Sequence, residues 1–217
     1  MDIEQARFNM IEQQIRPWEV LEPTVLEAMS SIPREVFVPE NFKQLAFSDT
    51  QIPLGHDEVM LEPRIIGRLL QALNISQNDD ILEIGTGSAW LTALLAKLGH
   101  HVWSIDREIS FTRQAESKLN QLCIENVTLE TADIFDNYQS QTQYDVIVVT
   151  GSIPLSTSLF QELLKINGRL FVVTGSTPLM EAQCITRTSA ETWTTENLFE
   201  THIPMLKGAP EPEAFVF

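Results

Sequence analysis

Basic residues are scarce in this chain. Lys and Arg number 14 against 30 Asp and Glu, a formal net charge of −16. Such a field repels phosphate backbones and argues against nucleic acid as a partner. Its plainest consequence is solubility. Cysteine is almost absent: Cys123 and Cys184 stand far apart and in no paired spacing. That gives neither a disulfide framework nor a thiolate metal site. It suits a reducing compartment, with both thiols as small core hydrophobes. No apolar run is long enough to span a bilayer. The first residues, MDIEQARFNMIEQQI, lack the basic start and apolar stretch of a secretion signal. A cytoplasmic protein is expected. There is no internal repeat and no low-complexity linker.

What is present is enough for a full core: 217 residues, 43% of them hydrophobic. One domain over 1–217 is expected, with a helical extension and covering loop over 1–75 and a sheet over 76–217. Phe8, Ile11 and Ile15 space one face of a helix that stops before Pro17. Val25, Leu26 and Met29 give a second, opening near Pro23. Pro63 opens a third, with Ile65, Ile66, Leu69, Leu70 and Leu73 on its core face. From residue 80 the texture changes. DILEIG reads as a buried strand, SAWLTALLAKLG as a helix stopped by Gly99, and HVWSID as a second strand. Ser110 is placed to cap a helix whose core face is Phe111, Ala115, Leu119 and Leu122. NVTLETAD and YDVIVVT follow as strands. A helix near 158–165 leads through Asn167-Gly168 into RLFVVTG. Strands alternating with helices predict an α/β fold with a doubly wound, mostly parallel sheet. Residues 180–204 read as two extended segments around TSAET, and the Pro/Glu-containing tail reads as mobile.

In such sheets ligands sit beyond the carboxyl ends of the strands, where strand order reverses. The first sheet strand ends in EIGTGSAW, residues 83–90. Gly85 and Gly87 permit a tight turn and a close approach to a ligand. Asp106 ends the second strand, where a carboxylate can accept from both hydroxyls of a ribose. Asp133 follows the third, where it can accept from an adenine amino group. A dinucleotide site wants a third small residue at position 90, for helix packing beside a pyrophosphate. Trp90 is too large. Glu83, just before the glycines, suits a cationic ligand better than a pyrophosphate. S-adenosylmethionine, with a sulfonium, an ammonium and no phosphate, fits that pattern.

ILEIGTGSAWLTA resembles the cofactor motif of the protein-L-isoaspartate O-methyltransferases. The resemblance runs from PREVFVPENFKQLAFSDTQIPLG through YDVIVVTGSIP and GRLFVVTG to THIPMLKG, nearly the whole chain after residue 30. It implies a Rossmann-like class I methyltransferase fold with an N-terminal helical extension and a rearranged end of the sheet. It also implies S-adenosylmethionine as cofactor, S-adenosylhomocysteine as its product, and a protein or peptide acceptor. By resemblance Gly85, Thr86, Gly87 and Ser88 contact the cofactor. Asp106, with Arg107 beside it, holds the ribose, and Asp133 with Ile134 borders the adenine.

Two departures stand out. Ala89 replaces a glycine of the motif. In the stretch GHDEVMLEP, where the family carries Thr-Ile-Ser, this chain has Val59, Met60 and Leu61. These apolar residues are expected on a loop folded over the reactive methyl, facing a water-poor cleft. Leu61 stands where the family has its active-site serine, so no catalytic residue is assigned from sequence. Three functions stay open: methyl transfer to an isoaspartyl carboxylate, methyl transfer to another acceptor, or cofactor binding without catalysis in the service of a partner. His56, Asp57 and Glu58 form the rim of this loop, and as adjacent residues they make a poor metal site. Thr150, Ser152 and the stretch HIPML, residues 202–206, are candidates for the acceptor side.

Overall fold

The computed structural model describes residues 2–136, 138, 142–155 and 158–210. The chain begins with helix α1, Ile3–Met10, capped by the Asp2 side chain on the Gln5 N–H. A π-helical turn, Ile11–Ile15, and a 3-10 turn, Arg16–Trp18, end it. The expected stop at Pro17 is thus a change of winding begun a turn earlier. Phe8 is exposed rather than on the core face; Met10, Ile11 and Ile15 carry the burial. Helix α2, Pro23–Ser31, opens on its proline and buries Val25, Leu26, Ala28 and Met29. A short α3, Arg34–Phe37, follows.

The expected loop over residues 55–63 is a β-hairpin. Strands β1, Ile52–Gly55, and β2, Glu58–Met60, pair antiparallel, with Ile52 opposite Met60. The two turn residues, His56 and Asp57, have φ 53° and 58°. That left-handed pair is the turn whose twist matches two antiparallel strands. Helix α4, Pro63–Leu73, then runs with the five predicted apolar residues buried.

The sheet has seven strands: β3 Asp80–Ile84, β4 His101–Asp106, β5 Val127–Thr131, β6 Tyr144–Ile153, β7 Leu164–Ser176, β8 Leu179–Arg187 and β9 Trp193–Glu200. Their order is β5-β4-β3-β6-β7-β8-β9. The first five are parallel, and β8 and β9 add an antiparallel hairpin. Strand β3 is third from one edge, and the chain leaves it first toward β4 and β5, then returns to β6 on its other side. The crevice at the carboxyl end of β3 follows from that reversal.

Helix α5, Trp90–Leu98, is apolar nearly all round because the sheet lies on one side and α2 on the other. Helix α6, Ile109–Gln121, begins one residue before Ser110. Ser110 is therefore inside the helix rather than capping it. Helix α7, Ser158–Glu162, ends earlier than expected. Leu164 already pairs with Tyr144, and Asn167-Gly168 forms an irregularity inside β7 rather than a turn before it. Cys184 is buried, but Cys123 is exposed, at φ 54° past the end of α6. Trp103 is only partly buried, against Tyr144 and His101. The Pro/Glu tail from residue 211 lies outside the described residues. Among the described residues, no helix is long and apolar enough to cross a membrane.

Candidate active site

A cleft opens at the carboxyl ends of β3, β4 and β6, with about 910 Å³ of empty space, its mouth included. Its floor begins with Glu83 on β3. This side chain is fully buried, and its Oε2 accepts from Thr92 Oγ1 and Ser104 Oγ, each at 2.6 Å. Its Oε1 is buried and has no hydrogen-bond partner. Burial pushes the Glu83 carboxyl up to about 8; the two hydroxyls pull it down, and Asp106 adds repulsion. An unpartnered buried carboxylate oxygen is costly unless a ligand supplies charge or a donor.

The glycines that follow have the freedom they need. Gly85 and Gly87 have φ +94° and +49°. A Cβ on Gly85 would collide with the Thr150 hydroxyl, which donates to the carbonyls of Ile84 and Gly85, each at 3.0 Å. The turn is thus clamped to the end of β6. Ala89, at φ 68°, keeps a left-handed conformation that costs an alanine about 1–2 kcal/mol. Trp90 fills the place of a third glycine. Its ring lies under the Arg34 guanidinium at 5.0 Å, and its Nε1–H donates to the Ile32 carbonyl at 3.4 Å. The indole anchors the N-terminal extension to the cofactor helix.

Asp106 holds the turn from the other side. Its Oδ2 accepts from the Gly87 N–H at 3.0 Å and its Oδ1 from the Glu108 N–H at 2.9 Å. Burial raises its pKa, opposed by those backbone bonds. Each oxygen keeps a further lone pair for a ligand. Asp133 Oδ1 accepts from the Phe135 N–H at 3.0 Å, and its Oδ2 lies 3.4 Å from Arg107 Nη2. Ile134 is buried beside it.

The hairpin forms the roof. Val59, Met60 and Leu61 line the cleft, Met60 and Leu61 buried and Val59 half-buried. Leu54 of β1 approaches Gly87. Beneath the roof, the fully buried Arg34 donates to the carbonyls of Leu61 at 3.1 Å and Ala46 at 2.6 Å. Its burial lowers its pKa to about 10, against the pull of Asp49 and Glu62. At the tip, His56 contacts α6: Nδ1 is 3.3 Å from Glu108 and Nε2 3.4 Å from Ser110, with its ring edge on Phe111.

All twelve residues expected to meet a cofactor line this one cleft: Glu83, Gly85, Thr86, Gly87, Ser88, Asp106, Arg107, Asp133, Ile134, Val59, Met60 and Leu61. Thr150, Pro204 and Leu206 line it too; Ser152 and His202 do not. Ser152 pairs through its backbone with Pro204 and Leu206, behind the wall. Sequence reasoning did not single out Lys207 or Phe111 as lining residues, and it left Glu58 as a solvated rim. Nothing in local spacing signals them, because each comes from a different element brought to the mouth.

A doubly wound sheet with an acid-and-glycine cleft at its reversal point, and no third glycine, defines a nucleoside-cofactor enzyme of the Rossmann-like methyltransferase class. Residues 5–208 match the family model described as Protein-L-isoaspartate(D-aspartate) O-methyltransferase (PCMT). The chain belongs to that family. A protein-L-isoaspartate O-methyltransferase of Syntrophus aciditrophicus is 36% identical over 188 residues, 87% of this chain and 86% of the relative. One from Rhodopseudomonas palustris, protein-L-isoaspartate O-methyltransferase 1, is 33% identical over 216 residues, 96% and 88% of the two chains. The fold is shared with a Plasmodium falciparum structure assigned to the same activity and in complex with S-adenosyl-L-homocysteine. There the TM-score is 0.80 at 17% identity, covering 95% of this chain and 99% of that one.

Proposed function

We propose that this protein transfers a methyl group from S-adenosylmethionine to the carboxylate of an isoaspartyl residue in a damaged protein or peptide. The observation that carries this is the cleft itself, in a chain of the isoaspartyl methyltransferase family. It joins an unpartnered buried Glu83 oxygen, a clamped Gly85–Gly87 turn and Asp106 with spare acceptor capacity. These residues fit a cationic nucleoside ligand. Gly85, Thr86, Gly87 and Ser88 would hold its amino-acid part over Glu83. Asp106 would hold the ribose hydroxyls, with Asp133, Arg107 and Ile134 around the adenine. When bound, S-adenosylmethionine supplies an electrophilic methyl on its sulfonium.

The chain's own work is alignment and exclusion of water. Val59, Met60 and Leu61 roof the cleft with apolar surface, and Thr150 and Leu206 wall it. An acceptor carboxylate is ionised at neutral pH, so no general base is needed. His56 is not among the residues that line the cleft, and its ring is turned to Glu108 and Ser110. The apolar roof also favours a second reading, an acceptor with an apolar flank. Incubation with labelled methyl donor, comparing an isoaspartyl peptide with a cell extract, separates the two. Label on the peptide supports the first reading; label confined to another extract component supports the second.

A further inference from the structure

We propose that the β1–β2 hairpin is a flap over the cofactor cleft, held shut at its tip by a clasp of His56 and Lys207, and that opening this clasp sets how fast S-adenosylmethionine enters and S-adenosylhomocysteine leaves. This rests on the reading of the cleft as the cofactor site. The hairpin is anchored at its base. There Ile52 and Met60 pair and are buried, and the next carbonyl, of Leu61, accepts from the fully buried Arg34 at 3.1 Å. Its tip has no such packing: Gly55, His56 and Asp57 are exposed. What holds the tip is a small set of polar contacts.

Those contacts tie the tip to the side of the cleft where Asp106 and Asp133 stand. The His56 ring reaches the start of α6. Its Nδ1 lies 3.3 Å from Glu108 Oε2, its Nε2 lies 3.4 Å from Ser110 Oγ, and its edge meets Phe111, which lines the cleft. From the other direction Lys207 Nζ donates to the His56 carbonyl and lies 3.9 Å from Glu58 Oε1. One turn residue is thus gripped twice, by its side chain and by its main chain.

The segment that carries Lys207 is a fixed post. The Ser152 N–H donates to the Pro204 carbonyl at 2.8 Å, and the Leu206 N–H donates to the Ser152 carbonyl at 2.9 Å. Leu206 lies against the bare Gly151, where a Cβ would stand 2.8 Å from its backbone. Gly208, at φ +83°, passes Arg107 and Asp133 so closely that a Cβ would stand 3.4 Å from Nη1 of one and Oδ2 of the other. Lys207 therefore projects from a strap that runs from the end of β6 to the loops after β4 and β5. The clasp itself is weak. The side chains of His56, Glu108, Lys207 and Glu58 are 48%, 34%, 38% and 30% exposed, and an exposed ion pair shifts an equilibrium by about fivefold at most. A site that encloses most of its ligand must part somewhere for exchange, and the tip parts at the least cost. The clasp joins protein to protein, so it opposes entry and exit alike.

The test is stopped-flow kinetics of S-adenosylhomocysteine on wild type, Lys207→Met, His56→Asn and the double variant, with melting temperatures alongside. Asparagine tolerates the left-handed φ at position 56. Breaking the clasp should raise the association and dissociation rates together, by about threefold to fivefold in each single variant and about tenfold in the double. The Kd should stay within about twofold of wild type, because the two rates move in step. Lys207→Arg keeps a cation on the His56 carbonyl and should exchange at close to the wild-type rate. If the double variant does not fold, the single variants decide. Unchanged rates in the folded variants overturn the proposal and leave the cofactor reading intact. So does faster dissociation with an unchanged association rate and a Kd weakened in proportion, which would make these side chains contacts of the ligand rather than a clasp. A wild type that binds no S-adenosylhomocysteine overturns both.

Discussion

With a cationic ligand beside it, as proposed, Glu83 should couple cofactor binding to pH. The carboxyl is fully buried, half its acceptors are unpartnered, and its pKa is pushed up to about 8 in the cofactor-free protein. Near neutrality it is therefore mostly protonated. A cation bound beside it favours the ionised form, so binding expels a proton and affinity rises with pH until about pH 8. If the bound-state pKa falls well below neutrality, S-adenosylmethionine should bind roughly tenfold more tightly at about pH 9 than at about pH 7. Calorimetry in buffers of different ionisation enthalpy reads the released proton directly. Glu83→Gln should bind more weakly than wild type at the alkaline end and show no proton release. The same carboxyl affects folding with the opposite slope. Its unfolded value is 4.5, so its contribution to stability is full below that pH and is lost as pH rises through about 8. Across that window the cofactor-free protein should lose stability on the order of 5 kcal/mol at most, and Glu83→Gln should flatten the loss. A wild type whose affinity is flat from neutral to alkaline pH and whose binding releases no proton would refute the placement of the cation beside Glu83.

Four further variants are informative. Asp106→Asn keeps one acceptor for the Glu108 or Gly87 N–H but loses charge, and should weaken S-adenosylmethionine binding by roughly 1–2 kcal/mol; Asp106→Ala frees the glycine turn as well and should cost roughly 2–4 kcal/mol. Calorimetry that finds the two equal to wild type removes Asp106 from the ribose site. Val59→Thr with Leu61→Ser puts two hydroxyls on the roof and should raise kcat/KM toward an isoaspartyl peptide about tenfold, provided thermal melts show the fold retained; no gain in a folded, cofactor-binding variant shows that orientation comes from elsewhere. Ala89→Gly relieves a left-handed alanine and should raise stability by about 0.5–1 kcal/mol, read as a shift of the melting temperature.

The sheet was legible because buried parallel strands leave continuous apolar runs such as YDVIVVT, and because the helix faces keep a clean period. The cleft was legible because its acids and glycines stand at strand ends, where register leaves them no other place. What escaped was decided by other elements. Phe8 has the spacing of a core residue, but α1 turns into a π-helical winding at Ile11 and the burial passes to Met10. GHDEVMLEP has the punctuation of a loop. His56 and Asp57 both take left-handed φ, and that folds it into a hairpin. Ala89 reads as a harmless methyl until its φ of 68° is seen. Lys207 sits in a tail with no motif of its own, and only the pairing of Pro204 and Leu206 with Ser152 brings it to the mouth.

The most direct test is a pair of peptides of one sequence, one with an isoaspartyl linkage and one with normal aspartate, incubated with S-adenosylmethionine and read by mass spectrometry. A base-labile methyl ester is expected on the isoaspartyl peptide alone, with S-adenosylhomocysteine formed in equal amount. No ester on either peptide, from protein shown to bind the cofactor, would contradict the assignment of the acceptor.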